Sequence, residues 1–225
     1  TLKSGKSVDL WGFYENKVWE KSTSYIKEAI VNYGNWVGEY PHPQCSAVEG
    51  PLKAGGGMEY PMVTIIDNGI NKPDLLQGVI IHEVGHNWFQ GILGSDERKY
   101  PWLDEGLNSF YENRTVDKVK EDTIKENLQL KIGIKNFSLK SPKDFDIEKL
   151  GMRYMTILNK TQAQKLSSEK YITVNYGLLS YKRTANLLKH LMYYLGEEKF
   201  DKCMQAYYTK WKYKHPQPND LKAVF

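Results

Sequence analysis

The sequence has only two cysteines, Cys45 and Cys203, among 225 residues. Two cysteines cannot form the disulfide framework of a small secreted domain, and the sequence does not say whether they pair. A chain of this length with 40% hydrophobic residues can bury a substantial core without disulfides. The composition therefore predicts a globular protein and does not define its redox compartment.

Long apolar runs and blocks of one charge are also missing. No segment approaches the roughly 18 consecutive apolar residues of a membrane helix, and the opening residues TLKSGKSVDL have no apolar signal-peptide core. The 31 Lys and Arg residues are interleaved with 27 Asp and Glu residues, which gives a formal net charge of +4. The missing apolar run predicts no membrane span in the chain, and the mixed charge predicts no nucleic-acid partner.

Apolar residues at helical spacing predict three helices besides those that carry the motifs below, over residues 15–36, 176–195 and 197–213. The stretch GGGMEYPMVTIID predicts a short strand that ends at an Asn-Gly turn. Residues 116–170 alternate helical pieces with polar loops, and no site is predicted there. The chain opens on Thr1 and stops just after a helix start at Asn219 and Asp220, so we expect a piece of a longer protein.

The helix that carries HEVGH is the most informative element. Asn71, Pro73 and Asp74 suit the first turn of a helix, where backbone amides lack partners. On its helical wheel both histidines share one stripe with apolar residues, which predicts that they face a cleft or the core: Leu75, Val79, His82, His86, Phe89 and Leu93.

His82 and His86 are four residues apart, so on a helix both imidazoles can reach a single metal ion. Catalytic zinc usually has three protein ligands and an open position for water, and two His with one Glu is a known set. Glu105 follows His86 after eighteen intervening residues, enough for a loop and a second helix from about residue 104 to 113 to present its carboxylate. The sequence predicts one Zn²⁺ per chain, held by His82, His86 and Glu105.

Glu83 lies next to the first histidine and points about 100 degrees round the helix from it. This direction favours a general base beside the metal over a fourth ligand. An HExxH pattern can also arise by chance, with the histidines as hydrogen-bonded core residues. We favour the metal site, because two imidazoles and a carboxylate would be costly to bury without an ion.

Three further motifs extend this interpretation: GGMEY at residues 56–60, WLDEG around Glu105, and YGLLSYKRTA from Tyr176. Together with the HEVGH–Glu105 spacing they resemble the GxMEN, WLNEG and paired-tyrosine segments of the gluzincin aminopeptidases of the aminopeptidase N and leukotriene hydrolase type. The resemblance implies an α+β, mostly helical fold, namely a thermolysin-like catalytic domain with a small sheet beside the HExxH helix.

The resemblance covers nearly the whole chain and implies one catalytic domain over residues 1–225, without the family's N-terminal β domain and C-terminal helical domain. A division into an α/β lobe (1–100) and a helical lobe (101–225) is one form that this domain could take. The resemblance slightly favours a secreted or cell-envelope location, whereas the sequence itself assigns none. The preferred first residue of the substrate and the oligomeric state do not follow from the sequence.

The resemblance also implies an aminopeptidase, which removes N-terminal residues from peptides. Glu59 would bind the free α-amino group, with the backbone of Gly57 and Met58 along the same edge. Tyr181 would donate a hydrogen bond to the oxyanion, and Tyr176 is the alternative donor. Without the resemblance, both tyrosines would be interpreted as ordinary helix-face aromatics.

Some residues differ from the family pattern. Tyr60 replaces Asn in GxMEN, Arg183-Thr184 replaces Lys-Gly after Tyr181, and Asp104 replaces the Asn of WLNEG. Asp104 or Glu112 could orient a metal ligand, but we predict a solvated or capping carboxylate for Asp104. The remaining histidines have no ligand-like partners and are interpreted as structural: His42, His190 and His215.

Three alternative functions fit the same residues. A zinc endopeptidase follows if Glu59 does not face the cleft, and epoxide hydrolysis is an activity that one branch of the resembling family adds with the same zinc. A non-catalytic peptide-binding relative is the third. This last class typically loses ligand residues, whereas all three ligands and the base are present here.

Overall fold

The computed structural model describes residues 1–53, 55–130 and 147–225, with side chains described for all of these except 124–130 and 147–149. Within these ranges the chain forms four strands and eight α-helices. In chain order they are β1 (Asp9–Phe13), α1 (Ser22–Trp36), β2 (Gln44–Gly50), β3 (Gly57–Met58), β4 (Val63–Asp67), α2 (Pro73–His86), α3 (Leu107–Leu130), α4 (Ile147–Ile157), α5 (Thr173–Asn175), α6 (Thr184–Leu195), α7 (Glu197–Trp211) and α8 (Pro218–Lys222). The predicted class, mostly helical with a small sheet, is confirmed.

Three segments of π-helix extend the α-helices that surround the site. Asn87–Ile92 continues α2, Trp102–Gly106 leads into α3, and Tyr176–Arg183 joins α5 to α6. A π-helix repeats its hydrogen bonds at i→i+5, so residues five apart lie close to one face. Wide turns of this kind often occur at functional sites, and two of these segments carry residues predicted to be functional.

The sheet is mixed and has the order β1-β2-β4-β3. β2 runs parallel to both β1 and β4, and β3 pairs antiparallel with β4 through Gly57↔Ile66 and Met58↔Ile65. The short strand β3 is therefore one edge of the sheet. It lies against α2, which brings the GGMEY motif to the helix that carries HEVGH.

The core lies between the sheet and helices α1, α2 and α3 and is rich in aromatic residues. The ring of Tyr33 on α1 lies 5.2 Å from Trp88, 6.1 Å from Phe89 and 5.6 Å from Tyr111, measured between ring centroids. All four side chains are fully buried, and aromatic pairs at these separations stabilise a core beyond the area that they bury. This cluster joins α1, α3 and the π-helical continuation of α2 just after His86.

The C-terminal helices attach to α3 through an ion pair. The Arg114 guanidinium donates to both carboxylate oxygens of Asp201 on α7, with an Nη2–Oδ2 distance of 3.0 Å. Its carbon also lies 4.2 Å from the centre of the Trp36 ring. Paired and stacked in this way, Arg114 joins α1, α3 and α7.

Several details of the sequence prediction are wrong. The strands β1 and β2 were not predicted, and α1 begins at Ser22 because Lys17–Lys21 forms a 3₁₀ turn, capped by Asn16 Oδ1, which accepts from the Val18 amide at 3.1 Å. Leu75 is 54% exposed and lies outside the buried stripe of α2. The residue before that helix is Lys72, without a side-chain cap, so Asn71 does not cap it.

Other predicted boundaries shift by a few residues. The helix predicted at 176–195 belongs to a helical stretch that begins at Thr173, and α7 ends at Trp211. Of the segment predicted as helical pieces and loops, residues 131–146 lie outside the described residues. Both cysteines are free thiols, Cys45 buried and Cys203 half-buried. Among the described residues, we find no helix that combines the length and the apolar character needed to cross a membrane.

Candidate metal and active site

The three predicted metal ligands come together at one point. His82 Nε2 lies 3.1 Å from His86 Nε2, and Glu105 Oε2 lies 3.2 Å from the first nitrogen and 3.4 Å from the second. Both imidazoles come from α2, and the carboxylate comes from the π-helical turn before α3. Three donor atoms of these types at these separations could hold one metal ion.

Close packing between α2 and α3 sets this geometry. The Asn108 side chain donates from Nδ2 to the carbonyl of His82 at 2.7 Å and accepts from the Tyr33 hydroxyl at 3.0 Å. A Cβ on Gly85 would lie 2.0 Å from Asn108 Oδ1 and 2.5 Å from the Tyr33 hydroxyl, so only glycine fits there. No sequence signal marked Asn108 or Tyr33 at the site, whereas Gly85, a glycine in the middle of the HEVGH helix, indicated a close approach there, either by helix packing or by a ligand.

A carboxylate holds the outer nitrogen of each imidazole. Glu112 Oε2 lies 3.0 Å from His82 Nδ1, and Asp104 Oδ1 lies 2.7 Å from His86 Nδ1. The side chains of His86 and Asp104 are only 2% and 3% exposed. The prediction of a solvated or capping role for Asp104 is therefore wrong, because the π-helical turn directs this carboxylate inward onto His86.

The site favours positive charge between the imidazoles and the acids. Burial by itself lowers the pKa of His82, but the hydrogen bonds to Glu105 and Glu112 raise it to about 10. For Glu105 the signs are reversed. Burial by itself raises the pKa of its carboxyl, but both imidazoles hold that pKa well below the usual range. An arrangement that stabilises a cation at this position suits a metal ion.

Glu83 is buried beside the two histidines, only 7% exposed. Burial raises the pKa of its carboxyl to about 7, against the opposing effect of His82 and His86. The edge strand β3 passes directly over it, since a Cβ on Gly57 would lie 2.4 Å from Glu83 Cγ. Gly57 therefore allows the strand to approach the predicted base.

Glu59 follows β3 and is half-buried. One of its carboxylate oxygens lies within 4.8 Å of donor atoms of His86 and Asp104, so the residue faces the site. Met58 is 41% exposed and Tyr60 is 52% exposed. The edge is therefore open to solvent, with Glu59 as its inward-facing acid.

Tyr181 and Tyr176 lie beside His82. The Tyr181 ring stacks on His82, with 5.9 Å between centroids and 17° between planes, and the Tyr176 ring lies 5.8 Å from Tyr181. Residues five apart share a face here because the segment is π-helical. Burial raises the pKa of Tyr176 to about 12 and that of Tyr181 further, so both carry a proton at neutral pH. The nearby Glu105 carboxylate adds to the rise in the pKa of Tyr181.

Comparison with known proteins places the chain in a family. The family model described as the peptidase family M1 domain matches residues 22–225. Glutamyl aminopeptidase of Sus scrofa is 24% identical over 234 aligned residues, which cover 98% of this chain and 23% of that protein. Leucine aminopeptidase 2 of Aspergillus terreus is 28% identical over 170 residues, 75% of this chain and 26% of that protein. The chain thus spans about a quarter of the length of these relatives.

Solved structures share the fold at low sequence identity. The M1 zinc metallopeptidase from Deinococcus radiodurans superposes with a TM-score of 0.61 at 15% identity, over all of this chain and 42% of that one. Yeast LTA4 hydrolase gives a TM-score of 0.63 at 18% identity, over 91% of this chain and 31% of that one. Since the family model matches nearly the whole sequence, the chain belongs to peptidase family M1, a family of metallopeptidases.

Proposed function

We propose that this chain is the catalytic domain of a zinc-dependent aminopeptidase, which hydrolyses the first peptide bond of a peptide. The observation that carries the proposal is the convergence of His82 Nε2, His86 Nε2 and Glu105 Oε2 within 3.4 Å of one another. The buried carboxyl of Glu83 lies beside them. The names of the related proteins, aminopeptidases and zinc metallopeptidases, agree with this proposal.

The residues present fit a zinc ion. Two imidazoles and one carboxylate form a known catalytic zinc set. Both Nδ1 atoms are engaged by carboxylates, which leaves both Nε2 atoms available as ligands, as is usual for metal-bound histidines. We propose one zinc ion per chain, held by His82, His86 and Glu105.

A zinc ion at this position would supply Lewis acidity, which lowers the pKa of bound water to about 7 and polarises a carbonyl group. Glu83 accepts the proton of the attacking water and delivers it to the leaving amine. The side chain is suited to this role because it is buried next to the ligands and does not belong to the three donors that converge. Because Gly57 has no side chain, β3 approaches Glu83 closely, and this limits the access of bulk water to the Glu83 carboxyl.

Tyr181 donates a hydrogen bond to the oxygen of the substrate carbonyl as negative charge develops there. Its ring stacks on His82, and Glu105 is close enough to act on its hydroxyl electrostatically, so the donor is next to the proposed ligands. Tyr176 contacts the Tyr181 ring and supports its orientation.

Glu59 selects substrates with a free amino terminus. Five carboxylates surround the two imidazoles, namely those of Glu59, Glu83, Asp104, Glu105 and Glu112. The net charge of this group therefore stays negative even with a divalent ion bound. A terminal ammonium group is attracted to such a site, and a charge-assisted hydrogen bond to Glu59 at the strand edge would fix the register of the peptide. One solved relative is bound to a Tyr-Ser-Ala substrate, and we propose a peptide substrate here as well.

We further propose that the fold is of the thermolysin-like type and that residues 1–225 form one catalytic domain. In this arrangement the sheet with α1 and α2 forms an α/β lobe over residues 1–100, and the later helices form a helical lobe over 101–225. His82 and His86 then belong to the first lobe, and Glu105, Tyr176 and Tyr181 to the second.

A pair of matched peptides tests this function. Hydrolysis of a peptide with a free amino terminus is compared with that of the same peptide after N-acetylation, each with and without a zinc chelator. We expect chelator-sensitive cleavage of the free peptide only. Equal rates for both peptides would rule out amino-terminal recognition and favour an endopeptidase, and chelator-resistant cleavage would exclude the metal mechanism.

A further inference from the structure

The two imidazoles of the site are held unequally. The Asp104–His86 contact is 2.7 Å long and almost fully buried, whereas the Glu112–His82 contact is 3.0 Å long with the side chains 14% and 21% exposed. Asp104 also occupies the position where the resembling WLNEG motif has Asn. Asp and Asn have nearly the same shape, so this difference concerns charge and hydrogen-bond direction.

We propose that Asp104 is a positioning residue that orients His86 for zinc and thereby raises the zinc affinity of this chain. The inference rests on the proposed zinc site. An ionised carboxylate only accepts hydrogen bonds, so in the zinc-loaded protein Nδ1 of His86 must carry the proton and Nε2 presents its lone pair to the metal. The Nε2 atom lies where this requires, 3.1 Å from His82 Nε2 and 3.4 Å from Glu105 Oε2.

An asparagine at this position would be ambiguous. Its amide accepts through oxygen or donates through nitrogen, and a donating amide leaves the imidazole proton on Nε2, where it blocks the metal. The carboxylate removes that alternative and increases the basicity of the ligand. Because the contact is buried, water does not offer His86 a competing partner.

Asp104 also contributes to the metal-free protein. Its carboxylate pairs with the His86 imidazole at 2.7 Å in a buried contact, and loss of one partner of a buried pair destabilises a fold. The metal-free Tm therefore does not separate positioning from folding. The rise of Tm on zinc addition does, because a residue needed only for folding leaves that rise unchanged.

The test compares Asp104→Asn with Glu97→Gln. Glu97 interacts electrostatically with Asp104, and among the described residues no hydrogen bond or ion pair joins it to His86. Its variant therefore removes one nearby charge without altering the orientation of the imidazole. Zinc affinity is measured by competition with a chelator of known affinity, and thermal unfolding is measured with and without zinc. For Asp104→Asn we expect a zinc affinity about 10- to 100-fold weaker, a lower metal-free Tm because the buried pair with His86 is lost, and a smaller rise of Tm on zinc addition.

Each outcome decides the inference. For Glu97→Gln we expect an affinity within about threefold of the unchanged protein, as for a weakly coupled charge, and an equal loss in both variants would overturn the positioning role. If Asp104→Asn binds zinc as tightly as the unchanged protein, the inference fails while the proposed zinc site stands. A rise of Tm on zinc addition that equals that of the unchanged protein, or failure to fold, would make Asp104 structural. If the unchanged protein itself binds no zinc, the proposed function fails as well.

Discussion

The two sides of the site are built differently. On the helical side, α2 and the turn before α3 place His86 and Asp104 almost completely out of solvent. Asn108 of α3, which accepts from Tyr33 of α1, donates to the carbonyl of His82. On the strand side, Met58 and Tyr60 are 41% and 52% exposed, and only Glu59 faces inward. The proposed chemistry therefore depends on buried, closely packed residues, whereas the proposed substrate recognition depends on a solvent-exposed strand edge. Substitutions on the two sides should therefore fail in different ways.

The largest effect is expected on the helical side from Glu83→Gln. The amide keeps the shape of the side chain but cannot accept the proton of the water, so kcat should fall by about 10²- to 10⁴-fold. Zinc should remain bound, because Glu83 is not one of the three proposed ligands. Steady-state kinetics and metal analysis check both points, and substantial remaining activity would exclude Glu83 as the base.

Tyr181→Phe is expected to have the next largest effect. Removal of one donor to a developing oxyanion lowers kcat by about 10²- to 10³-fold, with little change of KM. The matched variant Tyr176→Phe should be milder, since Tyr176 is the supporting residue. A larger loss in Tyr176→Phe would reverse the two roles. Metal analysis must show that zinc stays bound once the hydroxyl near Glu105 is removed.

Gly85→Ala tests how tightly the helical side is packed. The added methyl group would collide with Asn108 and Tyr33, and overpacking of this kind destabilises a core by about 1–3 kcal/mol. Gly78→Ala in the same helix is the control, because its Cβ would meet only Glu112 Oε1 at 3.5 Å. It should be neutral or stabilise the protein by up to about 1 kcal/mol. Urea unfolding of both variants measures the difference.

Glu59→Gln tests the strand side. Loss of the charge should raise KM for a peptide with a free amino terminus, by about tenfold for a partly exposed charged hydrogen bond. Zinc content and the free energy of unfolding should not change. If kcat falls with KM unchanged, Glu59 acts on the chemical step, and the contrast between the two sides is lost.

Tyr60→Asn, which restores the resembling motif, should have the smallest effect. The side chain is 52% exposed, and substitutions at such positions usually change stability by less than about 0.5 kcal/mol. We expect kcat/KM to stay within about twofold. A large gain or loss would show that the strand edge is more specific than its exposure suggests.

Local geometry explains what could be predicted. Histidines four positions apart on a helix bring both imidazoles to one face, whatever surrounds them, so the pairing of His82 with His86 follows from HEVGH. The spacing to Glu105 and the likeness of three motifs pointed to peptidase family M1, which the family model confirmed. Strands β1 and β2 were not predicted. β1 contains a glycine and β2 follows two prolines, and both residue types weaken the sequence signal of a strand.

The sequence by itself determined the family, the helix with its pair of histidines, and the candidate third ligand, since these depend on spacing along the chain. Only the tertiary structure decided that Asp104 turns inward to His86, that Gly57 lies on Glu83, and that Asn108 joins α3 to the carbonyl of His82. These contacts join residues from 18 to 26 positions apart, and their formation depends on how the helices and the strand edge pack against one another. No local pattern encodes that packing.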